Sequence, residues 1–337
     1  MKTIQKTKWF GVLFVLLSLV TLAACQGQAS PASVPEAADE LYPYSGDGEM
    51  YGFINLEGQA VVPPQYDAAF EFSEGLAAVE VDGQIAFVDR SGSLVVPPQY
   101  DGAGDFSEGF AVVRTTDEAG NEVAGYVDAN GTLVVDAQYT LAGDFSEGLA
   151  AVATGVGEDL RFGYVNPSGE MVIEPRFTSA DAFSNGLAPV SEGDKVGYID
   201  QSGQYVIPPQ FSDAAPFSEG LAAVTVGEKS GYVDPEGNVV IATQFAYAGP
   251  FSEGRAVVSN GKKEGYIDTS GQYVIKAQYD LATSFSEGRA VVIVNGLSGY
   301  IDEAGKYVLR PQFGEAGSYE DGVALAVRRL FLTSWPY

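Results

Sequence analysis

Gly231-Tyr-Val-Asp-Pro-Glu-Gly237, followed by Val239-Val-Ile241 and closed by Phe251-Ser-Glu-Gly254, is the stretch on which the fold of this chain turns. Asp234-Pro-Glu-Gly237 carries the chemistry of a type I turn. The aspartate side chain binds backbone amides further along, proline pre-sets the second position, and glycine takes the left-handed conformation after it. The flanking runs, 230–234 and 239–241, are short and rich in Val, Ile and Tyr, which makes them strands rather than helices. They pair as a hairpin, with a third strand upstream at 221–226. We label the three runs A (221–226), B (230–234) and C (239–241).

Outward from this unit the pattern recurs eight times. The opening glycine position falls at Gly52, Ala86, Gly125, Gly163, Gly197, Gly231, Gly265 and Gly299, and a closing glycine follows 23 residues later in every case, from Gly75 to Gly322. All variation in length lies between these blocks, at 115–123 and 154–160, and a fixed period of this size marks a tandem array whose insertions map to loops. Asp82-Gly83 and Asn260-Gly261 supply tight A to B turns. Pro63-Pro64, Pro97-Pro98 and Pro208-Pro209 cannot continue a central ladder, so C is expected to stop there.

One such unit cannot stand alone. Ordering its backbone costs about 1–2 kcal/mol per residue, more than a three-stranded sheet with a bare face recovers, so the units must stack. The recurring aromatics, Tyr66 to Phe313 at the end of C and Phe72 to Phe285 before each Ser-Glu-Gly, are expected to pack between neighbours. The expected fold is all-β, eight tandem repeats of short antiparallel strands. The array opens on a B run near Tyr51 and ends on an A run at 323–327, so pairing of the last A with the first B would close a propeller-like ring. That ring is the favoured arrangement, and an open superhelical array of hairpins is the alternative.

The Gly-Tyr-Ile-Asp-x-x-Gly and Phe-Ser-Glu-Gly-x-Ala-x-Val elements resemble the bacterial WG-repeat family over residues 49–328. The tryptophan that names the family is absent: Tyr51, Ile85, Ala124, Phe162, Val196, Ser230, Glu264 and Ser298 stand before the glycine position. The resemblance implies an exported or lipid-anchored protein and supplies no catalytic residues.

Residues 1–24 read as an export signal, with Lys2, Lys6 and Lys8 ahead of a short apolar run and small residues. Leu22-Ala23-Ala24-Cys25 resembles the lipobox of bacterial lipoproteins and contains the only cysteine, so lipidation at Cys25 and a membrane partner through it are expected. Residues 25–48, rich in Ala, Ser, Pro and acids, read as a flexible tether, 49–329 as the repeat domain and 330–337 as a tail or cap.

With 18 basic against 45 acidic residues and a net charge of -27, the chain lacks the cationic footprint that nucleic acid requires. It has no histidine, which removes Ser-His and Cys-His nucleophilic catalysis and imidazole ligation, and one cysteine excludes a Cys-ligated zinc site. No cofactor or metal is expected. Paired carboxylates are the one catalytic device left, yet the Glu of Ser-Glu-Gly and the Asp of each turn recur in nearly every unit, which argues for a structural role. Function is better sought where the repeat breaks. Asp117, Glu118, Asn121 and Glu122 in the first insertion, Glu158, Asp159 and Arg161 in or beside the second, Arg176, and Asn185 in place of the repeated Glu form the candidate contact region. The expected function is a non-enzymatic scaffold binding an envelope protein or polysaccharide. The alternatives are a carbohydrate-active enzyme using an acid such as Glu122 or Glu158, and a structural spacer from which one 34-residue unit could be deleted.

Overall fold

The computed structural model describes residues 40–319 apart from Asp47 and Glu49, together with Ala324 and residues 326–328. Cys25, the signal, the tether to residue 39 and the 330–337 tail lie outside the described residues. The chain divides into two compact units, residues 1–98 and 99–337. The described residues form eight antiparallel sheets and one short 3-10 turn, Gly157–Asp159.

The sixth sheet represents the others. Its strands run Asp213–Ala214, Ala222–Val226, Lys229–Val233 and Val239–Phe245, each hydrogen-bonded to the next. Val224 lies opposite Gly231 and Tyr232 opposite Ile241, with bulges on either side of Tyr232. Runs A, B and C are therefore where the sequence places them, but two features differ. A fourth strand, which we label D, precedes A. It spans six residues in Gly102–Ser107 and Leu141–Ser146, and only two, plus a single bridge, in sheets such as the sixth. Its composition of Gly, Ala, Asp and Pro hides it, because its pairing with A rather than its own β-propensity holds it. Strand C also runs through its prolines to Tyr100 or Phe211, which an edge strand permits because its outward N–H groups need no partner.

The ends correct two further expectations. Leu41–Ser45, assigned to the tether, is a strand pairing with Tyr51–Asn55 in the place that A takes in other sheets, and it buries Leu41. Residues 326–328, from the last A run, pair instead with Tyr307–Ala316 in the last sheet. Among the described residues, the last A run therefore pairs within its own sheet, and the first B run pairs with Leu41–Ser45.

The core lies between sheets, as the need to stack requires. Tyr198, Ile207 and Phe211 of the fifth sheet form one buried cluster with Phe217, Val224 and Val233 of the sixth. Each fully buried side chain of this size contributes about 1.5–3 kcal/mol. The repeated Tyr of B packs on the Phe of the following D, with ring centroids 4.8 Å apart for Tyr232 and Phe251, and 4.9 Å for Tyr198 and Phe217. Its hydroxyl donates to a carbonyl of that D segment: Tyr126 to Gly143 at 2.7 Å, Tyr232 to Gly249 at 2.7 Å and Tyr300 to Gly317 at 2.8 Å. Burial pushes these phenols up, that of Tyr300 to about 12.

The repeated Ser of Phe-Ser-Glu-Gly bonds forward in the same way, Ser218 to the Phe251 carbonyl and Ser252 to that of Phe285, both at 2.7 Å. Gly231 meets a different need. A Cβ there would lie 2.4 Å from the Ile241 carbonyl oxygen, so the close approach of C to B excludes larger side chains.

Each B to C turn is closed by its first residue. The Asp200 carboxylate accepts from Ser202 Oγ at 2.6 Å, Ser202 N at 2.9 Å and Gln204 N at 3.0 Å. These bonds, the Ser202 hydroxyl first, hold its pKa below the ordinary aspartate value, and hydrogen bonds likewise depress Asp128, Asp234 and Asp268. A depressed folded pKa means that the unfolded chain binds more protons. The contribution is therefore complete above the unfolded value, about 3.9, and is lost as pH falls through the lower folded value. Asn166 makes the same turn without a charge, accepting from Ser168 N at 3.1 Å and Glu170 N at 3.0 Å. Asp200→Asn with Asp268→Asn is thus expected to flatten the acid limb of the stability curve while leaving neutral stability nearly unchanged, as measured by urea unfolding at a series of pH values.

Candidate functional site

The repeated carboxylates are structural in this fold. Each Glu of Ser-Glu-Gly sits in the left-handed region, with φ near 51° at Glu219 and 53° at Glu253. For Glu108, Glu147, Glu219 and Glu253 the carboxylate reaches the corresponding turn of the following sheet: Glu108 accepts from Glu147 N at 2.7 Å and Gly148 N at 2.9 Å, and Glu219 from Gly254 N at 2.9 Å. Asn185 keeps the backbone conformation, φ 55°, which Asn tolerates well, but carries no carboxylate. It lies on the D to A turn, whereas the insertions extend A to B turns, so strand direction puts it at the opposite end of its sheet from the ends that the insertions occupy.

The first insertion is a hairpin. A lengthens to Phe110–Thr116 and B to Glu122–Asp128, joined by a turn in which Asp117 accepts from Ala119 N at 2.9 Å and Asn121 N at 2.8 Å. The Asn121 amide donates to the same carboxylate at 3.2 Å, so both residues serve the turn. Glu118 and Glu122 are exposed; Glu122 lies 3.8 Å from Arg114, a surface pair worth at most about 1 kcal/mol. The second insertion turns through Gly155 and Gly157, both at positive φ, into the 3-10 turn that exposes Glu158 and Asp159. Arg161 Nη1 closes it by donating to the Glu158 carbonyl at 2.8 Å and the Leu160 carbonyl at 2.7 Å. Arg176 is tied to the next sheet, donating to the Gly203 carbonyl at 2.6 Å and Glu192 at 3.2 Å.

Sequence reasoning missed the concavity beside the second insertion. A cleft of about 500 Å³ is lined by the D segments of three successive sheets, including Ser107, Leu141, Gly143, Asp144, Ser146 and Asp181, with Phe162 from B. The second insertion stands at its rim: Thr140 Oγ1, next to Leu141, bonds to the Gly155 carbonyl at 2.9 Å, and Phe162 directly follows Arg161. Burial, and then the neighbouring Asp105 charge, raise the pKa of Asp144, with Arg114 opposing. The structure thus places the second insertion and Arg161 beside the cleft, links the first insertion to it only through Arg114, which pairs with Glu122 and acts on Asp144, and leaves Arg176 and Asn185 outside it. The signal was present in the repeats. An Asp one or two residues before the D-strand Phe occurs only at Asp105, Asp144 and Asp181, in three consecutive units. Among the described residues, no group of three or more Asp, Glu, Cys or His could hold a metal ion.

The fold and site define a tandem β-repeat protein with an irregular, cleft-bearing region. The model of the WG containing repeat matches eight stretches, 51–84, 86–117, 125–155, 162–195, 197–229, 231–263, 265–297 and 299–328, and the chain belongs to that family. No curated protein matches it. Among solved structures, AztD from Citrobacter koseri is similar at 15% identity and a TM-score of 0.42, covering 86% of this chain and 94% of its own. The WD40 domain of Toxoplasma gondii coronin is similar at 16% identity and a TM-score of 0.35, covering 60% and 67%. The tricorn protease is similar at 12% identity and a TM-score of 0.26 over 80% of this chain, which spans 34% of that protein.

Proposed function

We propose that this chain is a non-enzymatic binding scaffold of the bacterial envelope, anchored through a lipid on Cys25, and that it holds an envelope protein or polysaccharide in the cleft beside its second insertion, with the first insertion as a flanking contact. The observation that carries the reading is the division of labour among its polar groups. Repeated Tyr, Ser, Glu and Asp side chains are spent on the array itself, while Asp144 and Asp181, carboxylates outside the repeated positions, line a concavity with Leu141 and Phe162 in the irregular region.

Capture from envelope extract tests the cleft. Deleting 115–123 and closing the turn with Asn-Gly should abolish capture while leaving the circular dichroism spectrum intact; full capture by the deletion variant would refute the reading. Asp144→Asn is expected to lose the ligand and to gain stability at neutral pH. A raised folded pKa means that its favourable contribution is lost as pH rises through that value, and Asn removes the charge. Cys25→Ser should move the protein from the membrane to the soluble fraction, and retention of the variant at the membrane would dismiss the anchor.

A carbohydrate-active enzyme is the second reading, favoured by the neighbouring Asp105 and Asp144, of which one is held in its protonated form to higher pH. Turnover on a glycan panel, lost in Asp144→Asn, would establish it.

A further inference from the structure

Strand C, the edge strand of the first seven sheets and flanked near its end by residues 326–328 in the eighth, carries a second surface. Its second, fourth and sixth residues share one face, and the second and sixth hardly change from unit to unit. Val206, Val240, Val274 and Val308 hold the second place at 45%, 47%, 46% and 41% exposure. Gln210, Gln244, Gln278 and Gln312 hold the sixth, all exposed, and their side-chain amides make no hydrogen bond among the described residues.

Every other strongly repeated side chain described above is explained by a contact. Tyr and Ser reach carbonyls, Glu reaches amides, and Asp closes turns. An edge strand needs β-branched residues in general, not Val in particular, and a solvated Gln without a partner carries no folding requirement. The one replacement sharpens the contrast: Arg176 stands in the Gln position of the fourth sheet and is tied down by Gly203 and Glu192. The fourth place, between Val and Gln, drifts from Glu174 through Pro208 and Ala242 to Lys276 and Arg310, so no charge is kept in the stripe.

We propose that these edges form a periodic binding surface for a neutral polysaccharide, a site separate from the cleft. A primary amide both donates and accepts and so matches sugar hydroxyls, while the exposed Val offers an apolar patch to the C–H face of a ring. The lack of a constant charge, in a chain of net -27, disfavours polyanions. Repetition converts weak single contacts into avidity along a polymer.

Affinity electrophoresis of the full-length chain in gels containing hydroxyethyl cellulose, dextran or soluble starch tests this, with alginate as the polyanion. Retardation by at least one neutral glycan is expected, weakened roughly tenfold in the quadruple variant Gln210→Ala, Gln244→Ala, Gln278→Ala, Gln312→Ala and about twofold in each single variant. Circular dichroism checks the fold, and Gln244→Ala with Gln278→Ala serves if the quadruple variant does not fold. Retardation unchanged in folded variants, retardation by alginate alone, or none in any gel would overturn the proposal, as would binding only to an extended peptide. Deletion of 115–123 should leave retardation unaltered, so failure here and failure of the cleft reading are read separately.

Discussion

Tyr232→Ala is expected to lower the free energy of unfolding by about 4 kcal/mol, the range for emptying a buried aromatic site. The ring has no exposure, stacks 4.8 Å from Phe251 and anchors the Gly249 carbonyl of the next sheet, so truncation opens a cavity at a contact between two units. Tyr232→Phe separates the two parts of the effect. It keeps the packing and removes only the hydrogen bond, at about 1 kcal/mol. The protein already contains the control, because Phe53 and Phe87 occupy this place in the first two sheets and are buried there. Urea midpoints for the three proteins decide the matter: an Ala variant no weaker than the Phe variant would mean that the inter-sheet core is not what holds the array.

Gly231→Val should cost roughly 3 kcal/mol or more, for a steric reason rather than a conformational one. Its φ is not in the left-handed region; the obstacle is the backbone of strand C, with Ile241 O at 2.4 Å and Thr243 N at 2.7 Å from any Cβ. Ala86 holds the equivalent place in the second sheet, so a single methyl is accommodated when the strands give way. A branched side chain has no such room beside a bulged pair. Thermal unfolding of Gly231→Ala and Gly231→Val compares the two, and equal melting temperatures would contradict the close-approach account.

What was legible in the sequence was whatever repeats with a local cause. The Asp-x-x-Gly turns, the hairpin of B and C, and the aromatic partners between units follow from turn chemistry and from the need to cover a bare face. Strand D was invisible because Gly102-Ala-Gly-Asp-Phe-Ser107 has little propensity of its own and becomes a strand only when A is beside it. The terminal strand Leu41–Ser45 was concealed in the same way, by a proline and a polar setting. The insertions were identified as the irregular region, yet the cleft beside the second depends on three D segments converging, which no single segment encodes. Asn185 was grouped with them by its rarity, but an antiparallel sheet sends its D to A and A to B turns to opposite ends.

The Tyr, Ser and Glu bonds all run from one unit to the next in chain order, as in Tyr126 to Gly143, Ser107 to Phe145 and Glu108 to Gly148. A ribosome releasing this chain therefore emits donors and acceptors whose counterparts have not yet been synthesised. Any message cut short leaves its final module with three unanswered groups, a built-in mark of incompleteness on the truncated product.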